Sequence, residues 1–478
     1  MARCFTPLSV RAFSGKQMKP THSRLTEGSV GRHLVNMTVP VLFGIFMMMG
    51  QAFVDAWFIG RVGDDALAAL SFAFPILMVV TSVAIGLGAG TSSVVARALG
   101  SGNRRRARRL ATDSLILSFI ITGIIAVIGV LTIEPLFELL GAPESMMPLI
   151  AGYMKLLYFG VPFVVVGMVG SSSMRATGDT RIPSMLLVGT SIINIILDPI
   201  LIFGFGPIPA MELNGAGLAA VLARMFLFGS SLWYMRTHDR LLSFSKPRMS
   251  ELKSSWGDIL HVGIPAAGTN AIIPIATAVI TAMIAKHGAD AVAGFGVASR
   301  IESMTLVMFY ALSAIIGPFV GQNMAAGRAD RIFTALHLCT LFCLGSGLVI
   351  AALLALGSGF LPGLFSENPA VTDVTRQFLW IAPISYGAYG MVMVMNASFN
   401  GMGKPIPAVY ISVSRMLVIY VPLAIALDLW LGIAGIFAAY AIANVITGVM
   451  SYAWARASIN EQCDKHRPPA TDLATDAT

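Results

Sequence analysis

Apolar residues run along this chain in long, nearly continuous stretches, with polar residues gathered between them. Twelve stretches approach the roughly 20 residues that a helix needs to cross a bilayer. They cover 38–60, 66–90, 112–133, 149–171, 182–204, 213–235, 258–285, 290–318, 332–357, 374–398, 406–428 and 432–456. None alternates with period two, which predicts helices rather than the strands of a barrel. The expected fold class is an all-α membrane protein of twelve transmembrane helices.

The pattern also repeats. Val62-Gly-Asp-Asp-Ala-Leu-Ala-Ala69 aligns with His287-Gly-Ala-Asp-Ala-Val-Ala-Gly294 at an offset of 225, which also places Pro40 on Pro265, Gly102 on Gly327 and Arg106 on Arg331. Further along, Pro162 pairs with Pro383 and Ala216-Gly217 with Ala434-Gly435 at offsets of 218–225. Each half holds six spans, an even number, so the two insert in the same orientation. A parallel repeat about an axis along the membrane normal leaves a cavity between the halves. The expected organisation is a cytoplasmic basic tail (1–36), an N-lobe (37–235), a cytoplasmic linker (236–257), a C-lobe (258–456) and a cytoplasmic C-terminal tail (457–478).

Composition agrees with the spans: 56% of residues are hydrophobic and 12% charged, against about 25% charged in soluble domains. The net charge of +8 follows the positive-inside rule and does not form a nucleic-acid surface. With the N-terminus placed in the cytoplasm, 25 of the 32 Lys and Arg residues fall on that side, against Arg61, Lys286 and Arg376 outside. Lys155, Arg224, Arg300 and Arg415 fall within spans. The run Arg104-Arg-Arg-Ala-Arg-Arg109 reads as a topology anchor that can touch anionic lipid. Gly86-Leu-Gly-Ala-Gly90, with no strand before it, reads as a site of close helix packing. Cys339 and Cys343 share one helix and, with Cys4 and Cys463 in the tails, give no pairing.

The candidate chemistry lies in polar groups inside the spans. Asn194 and Asp198 stand four residues apart, on one face of the fifth span. An ionised aspartate near mid-membrane costs about 3 kcal/mol on insertion scales, so such residues face a protein interior or a water cavity and mark ion or proton sites. Asp55 lies in the first span, where Pro40 removes a backbone hydrogen bond and offers a place to bend. Met47 and Met48 are candidates for lining an adaptable substrate cavity, as is Asn270 in the seventh span. In the second half, Arg300, Glu302, Arg415 and Gln322 are read as an internal charge network that orients helices; Arg300 and Glu302 are two residues apart and point to different sides. At the repeat offset Asp55 falls on Ile280, and Asn194 and Asp198 on Leu417 and Val421, so the acidic site belongs to the N-lobe alone.

These features together resemble the multidrug and toxic compound extrusion family of the larger group of multidrug, oligosaccharidyl-lipid and polysaccharide exporters. The resemblance covers 37–456. It is carried by Pro40 with Asp55-Ala-Trp-Phe-Ile-Gly60, the turn Gly63…Ala66-Leu-Ala-Ala69, Asn194…Asp198-Pro199, Ala216-Gly217 and Gln322-Asn323. It implies a V-shaped, alternating-access antiporter in the inner membrane of a bacterium that moves organic molecules outward in exchange for H⁺ or Na⁺. Asp55, Asn194 and Asp198 match the N-lobe cation site of the branch resembling DNA-damage-inducible protein F, where a bound Na⁺ would also sit. Tyr153 fits, by spacing, a tyrosine beside that site. Two features depart from other branches: helix 7 offers Asn270 in place of an acid, and helix 6 lacks the threonine that some sodium-site relatives use. The absent threonine tilts the expectation toward protons.

The expected protein is accordingly not an enzyme and needs no cofactor beyond its coupling ion. It works as a monomer on small organic, cationic or amphipathic substrates, with membrane lipid around it and no nucleic-acid partner. Two aspartates facing one partly wet cavity titrate as a coupled pair. The alternative from the same larger group is a flippase for a lipid-linked sugar, which would require a cationic cavity for pyrophosphate.

Overall fold

The structure, a computed structural model, describes residues 25–243 and 248–465. The remaining tail residues, with Cys4 and the Cys463 side chain, lie outside the described residues. Among the described residues, twelve helices are long and apolar enough to cross a membrane. We number them α1 (Val30–Val62), α2 (Asp64–Gly100), α3 (Arg104–Leu131), α4 (Met147–Ala176), α5 (Arg181–Ile202) and α6 (Glu212–Thr237) in the first half. The second half holds α7 (Met249–Ile284), α8 (Ala289–Thr305 and Val307–Ala325), α9 (Ala329–Gly357), α10 (Pro369–Ile381 and Tyr386–Gly401), α11 (Ile406–Leu431) and α12 (Ile433–Lys465).

Several helices outrun their apolar stretches. α1 begins at Val30, α7 at Met249, and α12 continues to Lys465. Extending an existing helix adds one bond per residue fixed, so the polar flanks join the spans they precede or follow. Three second-half spans are interrupted: α8 is broken at Leu306, α10 tightens into a 3₁₀ turn over Ala382–Ser385, and α11 widens into a π-helix over Ser414–Tyr420. The α10 turn contains Pro383, which lacks the N–H that an α-helix would use there. Pro40, by contrast, lies inside an unbroken α1.

The repeat is visible in the backbone. Gly102 and Gly327 turn with φ of +77° and +69°, and Gly178 and Gly403 with +94° and +74°, each pair at the same offset. A left-handed residue after a helix favours glycine, so the duplicated turns keep their glycines.

Two hydrophobic cores fall in the two halves, one holding Phe137, Val165 and Met174, the other Phe309, Phe319, Tyr386 and Phe437. They are cross-braced. Leu25, Leu34, Met37 and Val41 pack into the second core, and Ile259 into the first. The bracing lies at the end of the bundle that carries the described chain ends. There α2 and α7 cross so closely that a methyl on Gly86 would stand 2.5 Å from the Gly263 carbonyl oxygen. Nearby, Ser93 Oγ donates to the Asn400 carbonyl at 2.6 Å, and Arg106 reaches Asp258 at 3.1 Å. Arg331, its counterpart in the repeat, donates to the carbonyls of Leu25 (3.0 Å), Glu27 (3.2 Å) and Gly28 (2.6 Å). Each of these two arginines thus grips the segment leading into the other half.

Candidate functional site

The packing of α1 on α5 brings the N-lobe acids together. Asn194 and Asp198 are each 1% exposed, and the carboxyls of Asp55 and Asp198 lie close enough to interact directly. Asn194 Nδ2 donates to Asp198 Oδ1 at 3.3 Å. A fourth member, Gln51, stands one turn before Asp55 and donates both to Asp55 Oδ2 at 3.3 Å and to Asn194 Oδ1. Turning the Asn194 amide over would set its nitrogen 3.1 Å from Asp55 Oδ1. In either orientation an amide N–H points at the Asp55 carboxyl. Asp198 Oδ2 is buried without a donor. Pro199 follows directly within α5 and deprives the helix of one backbone bond beside the acid.

Two groups flank this cluster. Tyr153 of α4 is 6% exposed and packs on Gly217. It lies in the electrostatic reach of Asp55, Asp198 and Arg224 and makes no hydrogen bond with a described residue. Arg224 of α6 fills the notch left by Gly160, where Nη1 lies 3.2 Å from the position a Cβ would take. It is half-buried, lies within electrostatic reach of Asp55 and Tyr153, and forms no ion pair or hydrogen bond with a described residue.

Sequence reasoning did not assign Gln51 or Arg224 to this site. Both carried signals: Gln51 precedes Asp55 by four residues on one helix face, and Arg224 is a charge within a span.

The other candidates are more dispersed. Met48 is 46% exposed and Met47 half-buried, and Asn270 Nδ2 turns back to the Ala266 carbonyl of its own helix at 2.9 Å. None of the three contacts the acid cluster through a described hydrogen bond.

Of the expected C-lobe network, Glu302 and Arg415 lie within electrostatic reach of each other, while Arg300 and Gln322 lie apart. Glu302 accepts from Tyr440 Oη at 2.7 Å. Arg415 stacks 4.2 Å from the Tyr389 ring centre and donates to Asn444 Oδ1 at 3.1 Å, and Asn444 in turn donates to Ser385 Oγ at 3.0 Å. Arg415 sits in the π-helix of α11, a distortion found often at functional sites, and its Nε has no partner. Arg300 is excluded: it is exposed and makes no ion pair with a described residue, because two residues of helix turn it away from Glu302. Gln322 is excluded as well. It lies about 30 Å further along α8, where Nε2 donates to the Ala176 carbonyl at 2.6 Å and Oε1 accepts from Leu25 N–H at 3.3 Å. Its place is the closure between the lobes.

Comparison with known proteins identifies the family and the fold. The MatE family model matches residues 40–200 and 265–426, one stretch in each half. The chain is 38% identical over 436 residues to a protein of Shewanella oneidensis named FAD transporter, covering 91% of this chain and 96% of that one. It is 25% identical over 432 residues to the probable multidrug resistance protein YoeA of Bacillus subtilis, covering 89% and 93%. Among solved structures, the Vibrio cholerae MATE transporter VcmN in its bent form superposes with a TM-score of 0.86 at 29% identity, covering 91% of this chain and 98% of that one. A MATE transporter of the MOP superfamily in an outward-facing conformation gives a TM-score of 0.85 at 25% identity, covering 93% and 99%. With twelve spans in two like halves and both halves matched, the chain belongs to the MatE family and is an integral membrane transporter, not an enzyme.

Proposed function

We propose that the protein is a proton-coupled antiporter that exports organic, cationic or amphipathic compounds from the cytoplasm, with both termini on the cytoplasmic side. One observation carries this reading: the Asp55 and Asp198 carboxyls lie close enough to interact directly, and Asp198 Oδ2 is buried without a donor. Two carboxylates this close cannot both stay charged at low cost, and one proton held between them relieves the repulsion and supplies the missing donor. Loading that proton from outside lets α1 bend at Pro40 and displaces cargo from the cavity. Exposure to the cytoplasm then releases the proton.

Exchange of one proton for one monovalent cation is electroneutral and draws about 1.4 kcal/mol per pH unit. A second proton would add about 2.3 kcal/mol for each 100 mV of membrane potential.

The relative named FAD transporter brings a second reading of the cargo, an aromatic anion. The buried Arg415, stacked on Tyr389 with its Nε unpaired, favours it.

The test uses inside-out vesicles acidified within, without sodium, and a pH-quenched dye. Cationic aromatic drugs, or flavin adenine dinucleotide, should dissipate the acidity in wild type and not in Asp198→Asn. Equal dissipation by both proteins would remove the acid pair from the coupling mechanism.

A further inference from the structure

The family resemblance admits sodium at Asp55, Asn194 and Asp198, and the residues present are a poor fit for it. A hard cation is held by oxygen lone pairs. Here Gln51 Nε2 donates to both Asp55 Oδ2 and Asn194 Oδ1, and Asn194 Nδ2 donates to Asp198 Oδ1. Three of the oxygens a cation would need therefore already accept N–H groups. Turning the Asn194 amide over does not free the site, since its nitrogen then faces both Asp55 oxygens, at 3.1 and 3.3 Å.

The fixed charges point the same way. The cluster holds two carboxyls, and Arg224 of α6 lies within electrostatic reach of Asp55, with no described partner of its own. Tyr153 from α4 is the other titratable group beside it. An arginine cannot give up its charge in a protein, so it lies permanently where its field offsets one carboxylate and repels a second cation. A proton needs no coordination shell and forms on one carboxyl oxygen, which leaves the amide donors in place.

We propose that Arg224, with the Gln51 amide, makes this site select protons and reject sodium. Arg224 acts as a built-in cation, and Gln51 closes the oxygen ligands. The inference rests on reading the acid cluster as the coupling site.

The test measures equilibrium retention of radioactive sodium by purified protein in detergent, with folding checked by size-exclusion chromatography. Wild type and Arg224→Lys, which keeps the charge, should retain none above background at cellular sodium concentrations. Arg224→Ala should retain sodium clearly above background, as expected for an affinity raised about tenfold, and adding Asp55→Asn should abolish that retention. Should Arg224→Ala fail to fold, Gln51→Leu, which frees the oxygens but keeps the arginine, should show a smaller gain, also lost with Asp55→Asn. Sodium retention by wild type that disappears in Asp55→Asn would overturn the proposal, as would a folded Arg224→Ala or Gln51→Leu that retains none. Failure of the acid cluster as coupling site reads differently: drug-driven proton release would then persist in Asp198→Asn, whatever the sodium result.

Discussion

Gln322→Leu isolates what holds the lobes together at their closed end. The Gln322 side chain is fully buried, donates to the Ala176 carbonyl at 2.6 Å and accepts from Leu25 N–H at 3.3 Å. Leucine has a similar volume and no polar atoms, so the change strands a carbonyl and an N–H in a dry contact. Each stranded group costs about 1–3 kcal/mol, roughly 2–6 kcal/mol together. When the lobes part, water reaches both groups, so the penalty falls on the closed state alone and shifts the equilibrium by its full value. At about 1.4 kcal/mol per tenfold, a mid-range value moves the open-to-closed ratio by more than about a hundredfold.

Arg106→Ala is the contrast. Its pair with Asp258 also joins the lobes, but the two side chains are 31% and 54% exposed, and such pairs contribute about 0–1 kcal/mol. Spin labels at Ser101→Cys and Asp330→Cys, in a background without the four native cysteines, report the separation in nanodiscs by pulsed electron resonance. The expected result is a large population of long distances for Gln322→Leu and a distribution near wild type for Arg106→Ala. Equal shifts in the two variants would refute the reasoning, since burial is what separates them.

Gly86→Ala should open the same end, because its methyl would meet α7 backbone and another methyl at 2.5–2.6 Å. Overpacking of that kind costs about 1–3 kcal/mol, readable with the same labels. Arg331→Ala removes four hydrogen bonds, to Asn323 Oδ1 and three carbonyls of the leading segment. It should speed proteolysis within residues 25–29, whereas unchanged cleavage would show that the segment is held by Leu25 and its neighbours alone. Arg415→Lys keeps the charge and loses the planar stack on Tyr389, worth about 1–2 kcal/mol where desolvated. It should lower the thermal unfolding midpoint by several degrees while Arg300→Lys, at an exposed position, leaves it in place.

The sequence alone determined the helical class, the number of spans and the repeat. These depend on local or periodic properties: run length against bilayer thickness, and glycine where a left-handed turn follows a helix. Asn194 with Asp198 was legible for the same reason, since four residues along one helix fix a shared face. Partners on different helices were not legible, because crossing angle and depth decide them. Asp55 meets Asp198 only through the packing of α1 on α5, Gln51 bridges to Asn194 across that contact, and Arg224 enters through a notch at Gly160 on a third helix. Gln322 shows the converse. It shares a span with Glu302 and was grouped with it, yet the length of α8 carries it to the far end, into the seam between lobes. Charge in a span announces that a polar partner must exist; only the tertiary structure says which one, because desolvation penalises every unpaired group alike while geometry admits few pairs.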